Sequence, residues 1–288
     1  MTGDEARQRL RAAVTSGQLI VGAGAGTGLS AVCAEEGGAD LIVIYNSGRF
    51  RMAGRGSLAG LMPFGDANAI VVDMAREVLP VVRRTPVIAG VCGTDPFRSM
   101  PRFLAELRDL GFAGIQNFPT VALYDGMFRQ GLEETGMGFE LEVAMVRAAR
   151  DLGLLTVVYC VTEDEARSMA GVPADIVVAH VGLTTKGRIG ARSGMTLDEA
   201  AERVQAIRDA VAEVDATIPV LCHGGPIAEV GDVRYVLDRT TGVAGFLGAS
   251  SMERLPTEVA ITATVRGFKE LRPRPGADRH GGGERTGR

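Results

Sequence analysis

Eight short apolar runs rich in Val, Ile and Leu recur along the chain, at residues 19–24, 41–45, 86–91, 113–117, 154–160, 175–180, 218–223 and 243–247. They lack the strict alternation of a half-solvated sheet, which marks parallel strands covered by helices. Amphipathic stretches fill the gaps. Residues 101–110 (PRFLAELRDL) read as a helix that stops at Gly111, and 138–152 as another that stops at Gly153, since glycine accepts the left-handed turn that ends a helix. Thr196 and Glu199 form a capping-box pattern that opens a helix toward Val214, and Thr162 and Glu165 repeat it. In that device the threonine hydroxyl takes a first-turn N–H while the glutamate reaches back to the cap. Eight strand–helix units predict an α/β fold, a closed (β/α)8 TIM barrel over 1–271, with an extra N-terminal helix over 4–16. An open doubly wound sheet also accepts this alternation, but the count of eight favours the barrel. The tail 272–288 (RPRPGADRHGGGERTGR) has almost no apolar residues and is expected to be disordered, so His280 carries no functional weight.

The pattern breaks once, after the second run. Residues 46–68 (NSGRFRMAGRGSLAGLMPFGDAN) hold Arg49, Arg51, Arg55 and five glycines before apolar order returns. So long a structureless loop inside a domain is either functional or a mistaken assignment. Active sites of such barrels gather at the C-terminal ends of the strands, and this stretch follows the second strand. It therefore reads as a loop that grips substrate over the barrel mouth.

Composition narrows the partners. With 288 residues and 46% hydrophobic content the chain can bury a large core, while a net charge of -4 with no long basic block argues against nucleic acid. Arginines set singly in a loop still suit a small anionic substrate. No apolar run approaches the roughly 20 residues of a membrane helix, and the charged N-terminus has no signal-peptide core. Cys33, Cys92, Cys160 and Cys222 lie far apart without metal-site spacing. A cytoplasmic protein with reduced thiols and no membrane partner is the expectation.

Reading only the strand ends gives a short set of candidates. "HGGPI" (223–227) and "GASS" (248–251) each precede a helix, where glycine backbone and helix field favour an anion; Gly224, Gly225, Ser250 and Ser251 are candidate phosphate or carboxylate ligands, or simply tight turns. "GAGAGTGLS" (22–30) lacks the GxGxxG spacing and the lysine of nucleotide loops. Asp95 is the acid that directly follows a strand end on this face, as a metal ligand through its carboxylate or as a loop cap. His180 and His223 end strands six and seven, as acid/base groups or structural histidines. Lys186 and Arg188 sit in a glycine-rich loop that could close over an anion, and the strand-end cysteines, Cys222 among them, are candidate nucleophiles or small core residues.

The motifs "GAGAGTGLSA", "IYNSGRFRMAGRGSLAGLMPFGDANAIV", "AGVCGTDP", "GIQNFPTVALYDGMFR", "HVGLTTKG" and "LCHGGPI" resemble the phosphoenolpyruvate hydrolase-like family of TIM-barrel enzymes, over about residues 5 to 271. That family is related to a domain of a plant virus-resistance protein and, more widely, to the phosphoenolpyruvate mutase/isocitrate lyase group. The resemblance implies a hydrolase or lyase acting on a small phosphorylated or phosphono 2-oxo acid, such as phosphoenolpyruvate or phosphonopyruvate, with cleavage of a P–O, P–C or C–C bond. It implies Mg²⁺ at Asp95 and a substrate held by Asn46, Ser47, Gly48, Arg49 and Asn117. Gly224, Gly225, Ser250 and Ser251 would take the phosphoryl group and His180 or His223 would move the proton. The sequence departs from the wider group in three respects: the clustered Asp residues expected near the third strand reduce to Asp95, Asn117-Phe118-Pro119 stands where Glu-Asp-Lys is expected after the fourth, and the Lys-Cys-Gly-His motif of the lyases is absent. Two other readings are a binding barrel for regulation or assembly without turnover, and an isomerase or aldolase of unphosphorylated acids with Lys186 as a Schiff-base lysine. Related barrels commonly assemble, so a homo-oligomer is expected.

Overall fold

The computed structural model describes residues 1–273; the expectation for 274–288, His280 included, lies outside them. Strands β1 (Ile20–Gly24), β2 (Leu41–Ile44), β3 (Val87–Val91), β4 (Gly114–Asn117), β5 (Leu155–Cys160), β6 (Ile176–His180), β7 (Val220–His223) and β8 (Val243–Gly248) pair in parallel, each with the next, and β8 closes on β1. The expected (β/α)8 barrel is therefore the fold. Each apolar run became a strand because both its faces are covered, by the barrel interior and by the helical ring; β2 to β7 are buried at every position.

The ring comprises α1 (Gly3–Thr15), α2 (Gly28–Glu36), α3 (Asn46–Met52), α4 (Ala67–Val78), α5 (Met100–Leu110), α6 (Gly126–Glu134), α7 (Glu140–Asp151), α8 (Glu163–Gly171), α9 (Leu197–Asp215), α10 (Val230–Leu237) and α11 (Arg254–Glu270). Both expected capping boxes form, at α8 and α9, and Gly111 ends α5 at φ +107°. No helix among the described residues is long and apolar enough to cross a membrane.

Two segments differ from the sequence reading. The arginine-glycine stretch is not structureless: it opens as α3 and continues through a 3-10 helix at Ser57–Leu61. Seven residues are too few to show helical periodicity, and their burial comes from docking onto the mouth. The other is α6, a nine-residue helix none of whose residues is fully buried, with only Leu132 among its apolar residues packed partly against the core. At the end of the chain, α11 buries only Arg254 and leaves Val259, Ile261, Val265 and Phe268 exposed.

Candidate active site

At the C-terminal ends of the strands a small pocket, about 390 Å³ of empty space, opens among Tyr45, Arg51, Ser57, Phe118, Tyr159, His180, His223 and Ser250. It is narrow and suits a ligand of a few heavy atoms. Larger hollows lie at the opposite end, beside Arg7 and Asp175, and on the outer wall between α10 and α11. Neither gathers polar groups from several strand ends, where such barrels place their chemistry.

Arg51 enters the pocket wall from α3 and is buried with its partner Glu253. Its Nε and Nη2 donate to Glu253 Oε1 at 3.0 and 2.8 Å, and its guanidinium lies 5.2 Å from the centre of the Tyr45 ring. Glu253 Oε2 is taken by the Gly26 N–H and the Ser30 hydroxyl. Every carboxylate oxygen is thus satisfied, whereas Nη1 of Arg51 has no bonded partner among the described residues. The pair is a neutral unit that offers one free, directional N–H edge.

Opposite it stand two histidines that β6 and β7 hold in direct register. Their rings are 4.7 Å apart. His223 Nδ1 lies 2.6 Å from the Leu247 carbonyl, which can only accept, so Nδ1 carries the proton and Nε2 is an acceptor. Tyr159 then donates its hydroxyl to Nε2 at 3.3 Å, and Tyr45 Oη lies 3.5 Å from Tyr159 Oη. His180 Nδ1 accepts from the Gly182 N–H at 3.1 Å, which leaves the proton of the neutral ring on Nε2. Burial pushes His223 down to about 4, helped by Arg51 and opposed by the Leu247 bond. Burial and then His223 push His180 well below the ordinary value. Tyr159 is raised well above a normal phenol, first by burial and then by Tyr45. At neutral pH the pocket therefore holds two neutral imidazoles, the protonated phenol of Tyr159 and one paired guanidinium.

The expected site residues divide sharply by position. His180, His223 and Ser250 line the pocket together. Asn46, Ser47, Gly48 and Arg49 do not. Asn46 Nδ2 donates to the Gly60 carbonyl and Ser47 Oγ to the Ser57 carbonyl, at 2.8 and 2.7 Å, stapling α3 to the 3-10 helix. Gly48 packs on the loop that follows β1, where an added Cβ would stand 3.0 Å from the Ala25 carbonyl oxygen. Arg49 leaves the opposite face of α3 and reaches Asp73 and Glu77 on α4, at 3.4 and 3.8 Å. Asn117 is used up in the scaffold, with Nδ2 donating to Glu142 and the Tyr159 carbonyl and Oδ1 accepting from the Tyr159 N–H.

Lys186 is held outside the mouth between Glu229 and Asp232, at 3.0 and 2.7 Å, which fits neither a lid over the pocket nor a Schiff-base amine within it. Gly224 and Gly225, at φ +84° and +54°, make a turn so close to the following loop of β6 that added Cβ atoms would meet the Gly182 and Val181 carbonyls at 2.3 and 2.6 Å. The Gly225 N–H already donates to Gly182 O. Ser251 faces the outer wall hollow. Burial pushes Cys222 up to about 12 and Cys160 well above its normal range, so these two stay protonated thiols.

Asp95 sits in an outer groove with Asn68 and Arg98. It accepts from Asn68 Nδ2, the Phe97 N–H and Arg98. A cation there would have to displace the guanidinium. No group of three or more His, Cys, Asp or Glu side chains placed to hold a metal occurs among the described residues, and no carboxylate lines the pocket. The donors at this mouth do not fit Mg²⁺.

Reading the sequence missed Ser57 and Glu253 as site residues, and it held Arg51, Tyr45 and Tyr159 only as members of the gripping loop and of strand ends, with no role assigned. The two tyrosines had a signal, since each closes a strand run. Glu142 had none: it is fully buried on α7, accepting from Asn117, Thr120 and the Val121 N–H, and burial raises it to about 7.

Solved structures share this fold; among them is a 2,3-dimethylmalate lyase, described as a phosphoenolpyruvate mutase/isocitrate lyase superfamily member, which matches with a TM-score of 0.56 at 17% identity, over 93% of this chain and 88% of that one. An oxaloacetate acetylhydrolase matches with a TM-score of 0.59 at 18% identity, over 91% of this chain and 86% of that one. A phosphonopyruvate hydrolase, solved with oxalate and Mg²⁺, matches at 0.58 and 19% identity, over 93% and 88%. The chain itself belongs to the phosphoenolpyruvate hydrolase-like family, whose pattern it matches over residues 5–271. It is 61% identical over 264 residues to the ToMV resistance protein Tm-1(GCR237) of Solanum lycopersicum, covering 92% of this chain but 35% of the tomato protein. It thus spans about a third of the length of that relative.

Proposed function

We propose that this barrel is an enzyme of the phosphoenolpyruvate mutase/isocitrate lyase type that forms and collapses the enol of a small 2-oxo acid, breaking the bond beside it. The observation that carries this reading is the convergence of the free Arg51 Nη1 edge with the Tyr159–His223 hydrogen bond in one small pocket. Arg51 would orient the carboxylate through its free Nη1, the other two nitrogens being held by Glu253. The neutral His180 Nε2–H would donate to the oxygen where negative charge develops, a role that electrostatic preorganisation makes large. In the cleavage direction a substrate hydroxyl gives its proton to Tyr159 Oη while its carbon becomes the departing carbonyl and the electron pair of the broken C–C bond forms the enolate. Tyr159 passes its own proton to His223 Nε2, and the low proton affinity of the buried ring returns it through Tyr159 to the enolate carbon. No step needs a metal ion.

The pocket offers one free guanidinium nitrogen and no second cation, which suits a carboxylate better than a doubly charged phosphoryl group. The reading therefore favours C–C bond chemistry of an unphosphorylated oxo acid over the P–O and P–C cleavage suggested by the family's name. The kinship to a resistance protein supports a second reading, a barrel that binds such an acid without turning it over. Proton NMR in D₂O with pyruvate and oxaloacetate, and ³¹P NMR with phosphonopyruvate, separates the two. Solvent exchange at C3 that disappears in Tyr159→Phe supports the enzyme. Saturable binding without exchange supports the binding barrel, and phosphate release would restore the phosphono substrate. The homo-oligomer expected from related barrels would draw on the exposed apolar face of α11; sedimentation equilibrium with Phe268→Glu tests it.

A further inference from the structure

The pocket has walls of two kinds. Its floor is polar and belongs to the strand ends, with Tyr159 on β5, His180 on β6 and His223 on β7. Its rim is apolar and belongs to the loops beyond them. Leu58 and Leu61 come from the 3-10 helix after β2, Leu123 from a second 3-10 turn (Val121–Leu123) after β4, and Leu183 from the loop after β6. The two 3-10 segments are tied together, the Tyr124 hydroxyl donating to the Leu61 carbonyl at 3.1 Å. Leu58 is nevertheless 48% exposed, so aliphatic surface stands uncovered at the mouth of a polar site.

Charge at the pocket is equally one-sided. Among the described residues Arg51 is the one Lys or Arg in its lining, and Glu253 already neutralises it. Lys186 is held away by Glu229 and Asp232. Ser57, Thr184 and Ser250 add hydroxyls to the lining but no charge. A ligand with two carboxylates would leave the second one desolvated without a counter-ion, which is strongly unfavourable. An alkyl group in the same place gains about fourfold in affinity for each methylene that the leucines cover.

We propose that the substrate of this pocket is a monocarboxylic 2-oxo acid with a short apolar tail, its acid head on Arg51 and its tail beneath Leu58, Leu61, Leu123 and Leu183. This rests on the oxo-acid reading above and narrows it. The part of the molecule beyond C3 carries aliphatic carbon and no second acid, and the four leucines are the specificity-determining residues for it.

Titration calorimetry at neutral pH with pyruvate, freshly dissolved oxaloacetate and 4-methyl-2-oxopentanoate tests it. The last two acids have the same number of heavy atoms, with methyl groups in one where the other has carboxylate oxygens. The wild-type chain is expected to bind the alkyl acid about tenfold more tightly than pyruvate, and oxaloacetate no more tightly than pyruvate. Neither Leu58 nor Leu183 belongs to the apolar core, so Leu58→Ser and Leu183→Ser should fold. Each is expected to cut the advantage of the alkyl acid by about threefold and to leave pyruvate within about twofold. An alkyl acid held no more tightly than pyruvate or oxaloacetate, or an advantage that both variants keep, overturns the apolar tail while pyruvate binding still upholds the acid head. A wild-type chain that binds none of the three overturns the oxo-acid reading itself, and the tail with it.

Discussion

Arg49 and Arg51 stand two residues apart and meet opposite fates. Arg49 lies on the outside, part exposed, against Asp73 and Glu77. Arg51 is buried at the barrel mouth against Glu253, 202 residues away in sequence. Residues two apart on a helix point to opposite sides, so once 46–52 coils into α3 only one of the two can face the pocket. As an extended loop the stretch would give both the same access. The same division runs around the whole mouth. Asp95 and Lys186, the charges most conspicuous in sequence, are neutralised by local partners on the rim, while the inner surface is built of groups that burial keeps neutral or paired.

The largest test of that contrast is Glu253→Ala. It leaves the Arg51 charge buried without a partner, which typically costs about 3–5 kcal/mol; urea unfolding should show a loss of that size, and a change near zero would mean the pair is not buried as described. Next comes His223→Gln. Removal of an acid/base group typically lowers turnover by about 10²- to 10⁴-fold, so C3 exchange of the oxo acid should fall on that scale while binding persists.

Stability against pH gives a smaller, two-sided effect. His223 titrates near 4 in the fold and near 6.5 unfolded. Its contribution is complete above pH 6.5 and is lost as pH falls through about 4, and His180 acts in the same direction. Glu142 runs the other way, at about 7 folded against 4.5 unfolded. Its contribution is complete below pH 4.5 and is lost as pH rises through about 7, at about 1.4 kcal/mol per pH unit where it titrates. Urea midpoints between pH 4 and 8 should therefore show a shallower acid-side fall in His223→Gln, the remainder belonging to His180, and lose their fall toward neutrality in Glu142→Gln. Parallel profiles for all three proteins would remove both assignments. Smallest of all, Arg49→Ala and Lys186→Ala should each change stability by less than about 1 kcal/mol, as part-exposed ion pairs do, and leave turnover intact. A dead Arg49→Ala enzyme would put the rim back into the site.

Much of the architecture was legible before any coordinates. The β2 run 41–45 and the β6 run 175–180 could be read because local composition follows whether a segment is covered on both faces. Gly111 and the Thr162 and Thr196 caps were readable because a helix end is decided by the few residues that form it. His180 and His223 were legible as strand ends, for a barrel places its chemistry there. Their 4.7 Å approach was not, because it needs the β6–β7 register, and neither was the neutrality that follows from burial.

By itself, then, the sequence determined the eight strands, the helix caps and the end of the barrel where polar groups collect, all consequences of contacts within a few residues or of one face meeting a core. Tertiary structure alone decided which charges matter. Whether an arginine is a solvated tether or a buried partner depends on what chain closure brings beside it, and Glu253 reaches Arg51 only because β8 completes the barrel next to β1.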